Sequence, residues 1–110
     1  MTKRSELGEL EQLVLLAVWR LKEDAYSLSV RDAIAERTGR RLSVSAIYLT
    51  LLRLDKKGLL SSRLGEPTAE RGGKAKRYFK LRKAGLSAVT GARERMNRMW
   101  DGLEAQSNES

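Results

Sequence analysis

Two short segments with helical apolar spacing lie in the middle of the sequence, separated only by a short polar turn. The first is predicted from about Leu28 to Thr38, and Gly39 is its C-terminal stop. The second is predicted from the N-cap Ser43 to Lys57, because its apolar residues recur at steps of three and four. Two helices joined in this way are typical of a helix-turn-helix unit.

The flanking segments extend this unit in both directions. A helix is predicted over 7–21, and two strands are predicted over 59–64 and 76–81. The glycine-containing stretch 65–75 is expected to form the tip of a hairpin, and a long last helix is predicted over 84–104. This order predicts a mainly α fold with a small β-hairpin, namely a winged helix-turn-helix with a long C-terminal dimerisation helix.

Helix caps and domain boundaries follow from the same reading. Ser5 is the expected N-cap of the first helix, and Ser27 or Ser29 is the expected N-cap of the second. Ser29 and Asp32 are expected to form a capping box. Residues 1–83 are expected to form the winged-helix domain, 84–104 the dimerisation helix and 105–110 a disordered tail.

The 110-residue chain contains no Cys and no His. It therefore has no disulfide, thiol nucleophile or Cys-based metal site, and it lacks the commonest general base and metal ligand. The sequence also shows no phosphate-cradling glycine loop and no serine-nucleophile motif. We therefore expect no enzymatic activity, no cofactor and no bound metal.

No segment of the sequence has the length and apolar character of a membrane span. The longest strongly apolar run, 13–19, falls far short of the roughly 20 residues that a bilayer requires. The N-terminal residues lead into an amphipathic segment and do not form a signal-peptide pattern. We expect a cytoplasmic protein with no membrane partner.

The positive charge is concentrated in the middle of the chain. The formal net charge is +8, and residues 31–83 hold 15 of the 22 Lys and Arg residues but only 5 of the 14 Asp and Glu residues. A positive band on a small domain favours a polyanionic partner, with nucleic acid first and an anionic membrane second. The alternative is a solvated surface that only keeps the protein soluble.

The predicted third helix has a polar face opposite its apolar stripe. This face is small or hydroxylated near its N-terminus and cationic near its C-terminus, as a helix in the major groove of DNA requires. Leu49 on this face either touches a thymine methyl group or packs under a neighbouring element. Ser45, Ala46 and Leu49 are predicted to face bases, and Ser43, Tyr48, Arg53 and Lys56 to contact phosphates, with guanine as an alternative for Arg53.

Seven cations with no acid between them lie on and beside the predicted hairpin. They make a second basic surface next to the third helix, and the glycines of the tip allow close approach to a phosphate. We predict that the wing, residues 65–77, contacts double-stranded DNA through Arg71, Lys74 and Lys76. Arg77 has two interpretations, a DNA contact or a packing residue at the strand edge.

The predicted last helix carries a coiled-coil-like apolar seam. Its members recur at seven-residue intervals, interleaved at three and four, with Arg93 as one cation in register. The seam is buried either on its own domain or on a second copy, and we favour a homodimer. A two-fold dimer presents two recognition helices and favours a pseudo-palindromic site. The predicted interface residues are Leu86, Val89, Met96, Trp100 and Leu103.

The sequence resembles the PadR family of transcriptional regulators over residues 7 to about 103. The resemblance is carried by Leu7-Gly8-Glu9-Leu10-Glu11, Ser43-Val44-Ser45-Ala46-Ile47-Tyr48 and Arg77-Tyr78-Phe79-Lys80-Leu81. It implies a winged-helix homodimer that binds operator DNA, usually as a repressor. Ser27 replaces the usual glycine and Arg82 the usual threonine, so the last helix is expected to lack its customary N-cap.

Some members of this family bind flat apolar ligands between aromatic side chains near the dimer interface. By this resemblance, Trp19 and Trp100 are candidates to line a pocket for a small apolar or aromatic effector. The main alternative to DNA binding is a basic winged-helix module that binds RNA. We disfavour it because only Tyr48, Tyr78 and Phe79 in the basic region are aromatic, which is a poor platform for base stacking.

Overall fold

The computed structural model describes residues 6–66 and 75–103. Expectations for Ser5, Arg71, Lys74 and the tail 105–110 lie outside the described residues. The elements, in order, are α1 (Glu9–Leu21), a single 3-10 turn (Lys22–Asp24), α2 (Ser27–Thr38), α3 (Val44–Lys56), β1 (Leu60–Leu64), β2 (Arg77–Leu81) and α4 (Lys83–Trp100).

The first three helices pack around one apolar core, which the hairpin and the start of α4 complete. α3 contributes Ile47, Leu51 and Leu54, all fully buried, at the spacing of one helical stripe. β2 contributes the buried Phe79, whose N–H donates a hydrogen bond to the carbonyl oxygen of Ala25 at 2.8 Å. The remaining buried apolar residues are Val14, Leu15, Ala17, Val18, Ala25, Val30, Ile34, Leu60 and Val89. This core fixes which face of α3 points outward.

The two strands form an antiparallel hairpin that follows α3 directly. Leu60 pairs with Leu81 at the base, and Leu64 pairs with Arg77 at the other end of the described ladder. Three helices followed by such a hairpin form a winged helix-turn-helix, as the sequence predicted.

The start of α2 differs from the prediction. The helix begins at Ser27 with Tyr26 as its N-cap, so Ser29 occupies the third helical position. The Ser29 hydroxyl accepts a hydrogen bond from Tyr26 N–H at 3.0 Å, and Asp32 pairs with its neighbour Arg31. The predicted Ser29–Asp32 capping box is therefore wrong, and neither Ser27 nor Ser29 is the cap, because the helix begins earlier than the apolar pattern suggested.

The turn between α2 and α3 has the predicted chemistry at both ends. Gly39 ends α2 with a positive φ of 77°, a backbone conformation that favours glycine. The Ser43 side chain accepts a hydrogen bond from Ala46 N–H at 3.1 Å and so caps α3.

α1 begins at Glu9, slightly later than the predicted Leu7.

The first two turns of α4 belong to the winged-helix core. Arg82 is the N-cap and makes no side-chain capping hydrogen bond, as its replacement of the usual threonine predicted. Its N–H instead donates to the carbonyl oxygen of Leu59 at 3.1 Å. Gly85 and Val89 are buried on the side of α4 that faces the domain.

α4 ends earlier in the sequence than predicted. The helix ends at Trp100 and does not continue to 104. Gly102 has a φ of 84°, and Leu103 N–H donates to the carbonyl oxygen of Trp100 at 2.8 Å in a turn. Because the left-handed conformation at Gly102 interrupts helical geometry, Leu103 lies beyond the helix and outside its heptad register.

Gly85 and Gly91 provide a matched test of how α4 packs. A Cβ at Gly85 would lie 2.2 Å from the Leu59 carbonyl oxygen and 2.8 Å from Leu81 Cδ1. We expect Gly85→Ala to lower the free energy of unfolding by about 1–3 kcal/mol, because α4 must shift away from the hairpin. A Cβ at Gly91 would contact only the flexible end of Arg95, at 3.4 Å, so Gly91→Ala should raise the free energy of unfolding by about 0.5–1 kcal/mol. Urea denaturation followed by circular dichroism measures both, and effects of the same sign would contradict this packing.

Candidate nucleic-acid interface

The outward face of α3 carries four of the side chains that the sequence assigned to DNA. Ser45, Leu49, Arg53 and Lys56 are exposed there, opposite the buried stripe. Leu49 is 59% exposed, so it does not pack under another element of the described chain. Within the described residues, the exposure of Leu49 favours its outward-facing interpretation, and an apolar side chain lies on a face that is otherwise polar and basic.

The other three predicted residues of α3 lie at the edges of this face. Ser43 is exposed, and its hydroxyl is engaged in capping the helix. Ala46 and Tyr48 are half-buried on opposite sides of the helix. The structure thus places all seven residues on or beside the outward surface of α3, with four of them central.

A cleft of about 340 Å³ lies between α3 and the Leu64–Arg77 end of the hairpin. Its lining residues are Tyr26, Ser27, Tyr48, Leu64, Ala75, Lys76 and Arg77. The cleft brings Tyr48 of α3 and Lys76 of the hairpin, two residues predicted separately as DNA contacts, to one groove. The start of α2 closes the same groove on its third side.

Two tyrosines and two cations attach the Leu64–Arg77 end of the hairpin to the start of α2. The Lys76 ammonium nitrogen lies 4.1 Å from the ring centroid of Tyr26. The Tyr26 ring meets Tyr78 edge to face, with 5.5 Å between centroids, and the Arg63 guanidinium lies 4.7 Å from the Tyr78 centroid. Cation–π and edge-to-face contacts of this kind stabilise the packing of rings and cations. Lys76 is therefore positioned by Tyr26 at the base of the wing.

Arg77 connects the hairpin to the end of α3. Its guanidinium donates a hydrogen bond to Ser62 Oγ at 3.1 Å, and the Ser62 hydroxyl donates to Asp55 Oδ2 at 2.9 Å. Of the two interpretations of Arg77, the structure supports the packing residue. The predicted wing contacts Arg71 and Lys74 lie outside the described residues.

A buried carboxylate lies beneath the C-terminal end of α3. Glu11 of α1 is only 8% exposed. Its Oε1 accepts a hydrogen bond from Gly8 N–H at 3.1 Å, and its Oε2 accepts one from Lys57 Nζ at 2.9 Å. The same Oε2 lies 3.7 Å from Arg53 Nη1. Ion pairs therefore tie the cationic end of α3 to the first turn of α1.

Opposing influences act on the Glu11 carboxyl. Burial is the largest of them and raises its pKa. The hydrogen bonds from Lys57 and from Gly8 N–H, together with the positive charges of Lys57 and Arg53, outweigh burial and lower the pKa below its ordinary value. Glu11 is therefore ionised at neutral pH, and its negative charge faces two cations of α3.

Sequence reasoning missed Glu11 and Lys57. The available signal was the position of Glu11, three and four residues before Val14 and Leu15, which puts a carboxylate on the apolar stripe of α1. A carboxylate in such a place requires a cationic partner. The pattern does not identify that partner, because Lys57 is 46 residues away in the chain.

The residues predicted for the dimer interface separate into two groups. Val89 is 4% exposed and packs in the core of its own domain, so it is not available to a partner. The other four, Leu86, Met96, Trp100 and Leu103, are exposed. The exposed part of the seam therefore lies mainly on the C-terminal half of α4 and the turn that follows it.

Trp19 and Trp100 do not line a common pocket within the described chain. Trp19 borders a cleft of about 300 Å³ where α1 meets the end of β2 and the start of α4, and Lys22 and Leu86 lie beside it. Trp100 is not part of that lining, and both indoles are about half exposed.

Residues 6–66 and 75–103 contain no cluster of three or more acidic side chains that could hold a metal ion. No helix among them is long and apolar enough to cross a membrane.

A winged helix-turn-helix with basic residues on the outward face of its third helix is typical of DNA-binding regulators. A family model described as the transcriptional regulator PadR-like family matches residues 15–90. The match covers more than half of the chain, so the protein belongs to the PadR-like family of transcriptional regulators. The resemblance found in the sequence is thereby confirmed.

Solved structures share the fold over most of the chain. A PadR family transcriptional regulator from Eggerthella lenta DSM 2243 is 23% identical with a TM-score of 0.69, and the match covers 93% of this chain and 88% of that one. A PadR family transcription regulator from Clostridium difficile R20291 is 20% identical with a TM-score of 0.65, covering 93% of this chain and 97% of that one. Among curated proteins, no match was found.

We expect the ion pairs of Glu11 to stabilise the fold in a pH-dependent way. Its folded-state pKa is lowered, so its contribution is complete above the ordinary value of 4.5 and is lost as pH falls through the folded-state pKa. Wild type should exceed Glu11→Gln in free energy of unfolding near neutral pH, and the gap should close in acid. Urea denaturation over the range from about pH 7 to pH 3 measures the gap.

The control for this measurement is Glu9→Gln. It removes a carboxylate from the same helix, but this carboxylate is exposed and lies 3.3 Å from the guanidinium of Arg40. Exposed pairs of this kind contribute about 0–1 kcal/mol. The stabilising role of the Glu11 ion pairs would be contradicted if the difference in free energy of unfolding between wild type and Glu11→Gln stayed constant down to about pH 3. It would also be contradicted if this difference equalled that for Glu9→Gln at every pH.

Proposed function

We propose that the protein is a sequence-specific transcriptional repressor that binds a pseudo-palindromic operator as a homodimer. α3 lies in the major groove, and the wing, residues 65–77, follows the adjacent DNA backbone. The observation that carries the proposal is the outward face of α3, where Ser45 and Leu49 are followed by Arg53 and Lys56. Membership of a family of transcriptional regulators supports the general function.

The placement of the side chains on α3 supports a division of roles. Ser45 and Ala46, near the N-terminal end, are small enough for the helix to approach base edges, and Leu49 offers methyl groups to a thymine methyl. Arg53 and Lys56 follow on the same side and reach phosphates, with guanine as the alternative for Arg53. The remaining proposed phosphate contacts are Ser43 and Tyr48 beside α3, and Arg71, Lys74 and Lys76 on the wing.

Exposed apolar surface on α4 supports the homodimer. Met96 is 57% exposed and Trp100 is 50% exposed, one helical turn apart on the same side of the helix. Large apolar side chains grouped in this way mark interaction surfaces. The proposed interface comprises Leu86, Met96, Trp100 and Leu103, without Val89.

A small apolar or aromatic effector remains part of the proposal. Trp19 borders the cleft of about 300 Å³ between α1, β2 and α4, together with cationic residues such as Lys22. Trp100 is exposed near the C-terminal end of α4. A pocket that both indoles line requires two copies of the chain, because one copy does not bring them together. Quenching of tryptophan fluorescence by planar aromatic compounds is the direct assay for this pocket.

The aromatic residues of the basic region favour duplex DNA over RNA. Single-stranded RNA is read mainly by bases stacked on free aromatic rings. Tyr26 and Tyr78 contact each other, and each carries a cation against its ring. These rings serve to position the hairpin, so they do not provide a stacking platform.

Selection from random duplex DNA should return an operator with two-fold symmetry, its half-sites one helical turn or a multiple apart. Affinity for this operator, measured by fluorescence anisotropy, should fall about 10³–10⁵-fold between 50 and 200 mM salt, because a dimer of this kind neutralises roughly six to ten phosphates. A structured RNA of equal length is the control. A flat salt response, or equal affinity for the RNA, would defeat the proposal.

Met96 and Met99 offer a matched test of the dimer. Both are exposed on α4, at 57% and 75%, but only Met96 lies in the heptad register. Met96→Glu should convert the dimer to monomers in sedimentation equilibrium and weaken operator binding at least about tenfold, because a buried charge opposes association. Met99→Glu should remain dimeric. If both variants remain dimeric and keep the wild-type helix content, this seam is not the dimer interface.

A further inference from the structure

The Glu11 carboxylate faces two cations that belong to the DNA-facing helix. Lys57, the C-cap of α3, donates to Glu11 Oε2 at 2.9 Å, and Arg53 Nη1 lies 3.7 Å from the same oxygen. One negative charge therefore lies against two positive charges. The end of α3 presents a net charge smaller than its sequence suggests.

The two cations differ in what remains available to a DNA phosphate. The Arg53 side chain is half exposed, and its five N–H donors allow it to contact Glu11 and still donate to DNA. The Lys57 side chain is 30% exposed, and its ammonium is engaged with the buried carboxylate. Moving that ammonium to a phosphate would remove the closest partner of a buried anion, which is costly. Both lysines, Lys56 and Lys57, are exposed residues, but only Lys57 has its ammonium engaged by the buried Glu11 carboxylate, which holds it away from DNA.

We propose that Glu11 is a positioning residue that sets the DNA specificity of α3. It holds the Arg53 guanidinium in one orientation and keeps the Lys57 charge from phosphates. Non-specific affinity depends on the number of phosphates neutralised, whereas operator affinity also depends on base contacts. Glu11 therefore lowers affinity for non-operator duplexes while preserving affinity for the operator. This inference rests on the proposed function, since it concerns how the same site discriminates among sequences.

Glu11→Gln tests the inference, because the amide keeps the size of the side chain and an acceptor for Gly8 N–H but loses the charge. We expect affinity for a non-operator duplex to rise at least about threefold. The dependence of log affinity on log salt should steepen by about 0.9, the increment for one added phosphate contact. Operator affinity should stay constant or fall, because Arg53 loses its anchor. The ratio of operator to non-operator affinity therefore falls.

Glu9→Gln is the matched control on the same helix. It raises the formal net charge by the same amount, but its carboxylate is exposed and pairs with Arg40 outside α3. We expect it to keep the wild-type salt dependence and the wild-type affinity ratio. A change in Glu9→Gln equal to that in Glu11→Gln would overturn the inference. So would a Glu11→Gln variant with a lower melting temperature and the same fractional loss of affinity for both DNAs, as expected of a purely structural anchor.

The neighbouring lysines give a second test that leaves Glu11 unchanged. Lys56→Met should reduce the slope of log affinity against log salt by about 0.9, whereas Lys57→Met should leave the slope unchanged, because Lys57 contacts no phosphate. The double variant Glu11→Gln, Lys57→Met should return the slope from its steepened value to that of wild type. Equal reductions for the two single lysine variants would overturn the inference.

The wild-type protein separates this inference from the proposed function. If wild type binds no duplex in preference to others, the proposed function fails and the inference fails with it. If wild type binds its selected operator and Glu11→Gln retains the wild-type affinity ratio, only the inference fails.

Discussion

The burial of one side of α3 is the constraint on which the rest of the molecule depends. Ile47, Leu51 and Leu54 have no exposed surface, and burying each such side chain contributes about 1.5–3 kcal/mol. Turning the helix about its axis would lose a large part of the roughly 5–15 kcal/mol that stabilises a small domain. Only one rotation of α3 is therefore stable. The side chains that face outward, Leu49 and Arg53 among them, follow from the core and do not require DNA to be present.

The hairpin is positioned by the same helix whose outward face it flanks. The hydrogen bonds from Arg77 to Ser62 and from Ser62 to Asp55 connect the hairpin to α3, while the ring of Tyr78 against Tyr26 connects it to the start of α2. These contacts are partly exposed and act as a network, in contrast to the dry apolar packing beneath α3. The same network of hydrogen bonds and ring contacts therefore fixes the positions of the elements that border the groove between α3 and the wing.

Local sequence signals predicted the features that depend on local chemistry. The cap Ser43, the stop Gly39 and the apolar stripe of α3 each involve only a few neighbouring residues, and together they were enough to predict the winged helix-turn-helix. The start of α2 was less predictable, because its N-cap is not one of the residue types that usually cap a helix. Periodicity indicates that a face is buried but not what covers it. Val89 fits the heptad seam, yet its own domain buries it, and the partner of Glu11 lies 46 residues away.

α4 connects two surfaces through one continuous helix. Its first turns are fixed by the close approach of Gly85 to the Leu59 carbonyl and by the burial of Val89, while Met96 and Trp100 remain exposed near its other end. α4 is one helix from Lys83 to Trp100 and contains no proline, a residue that kinks helices. The direction of the exposed seam relative to α3 is therefore set by packing at the base of α4. In the proposed dimer, that packing would also contribute to the distance between the two copies of α3, and therefore to the spacing of the half-sites.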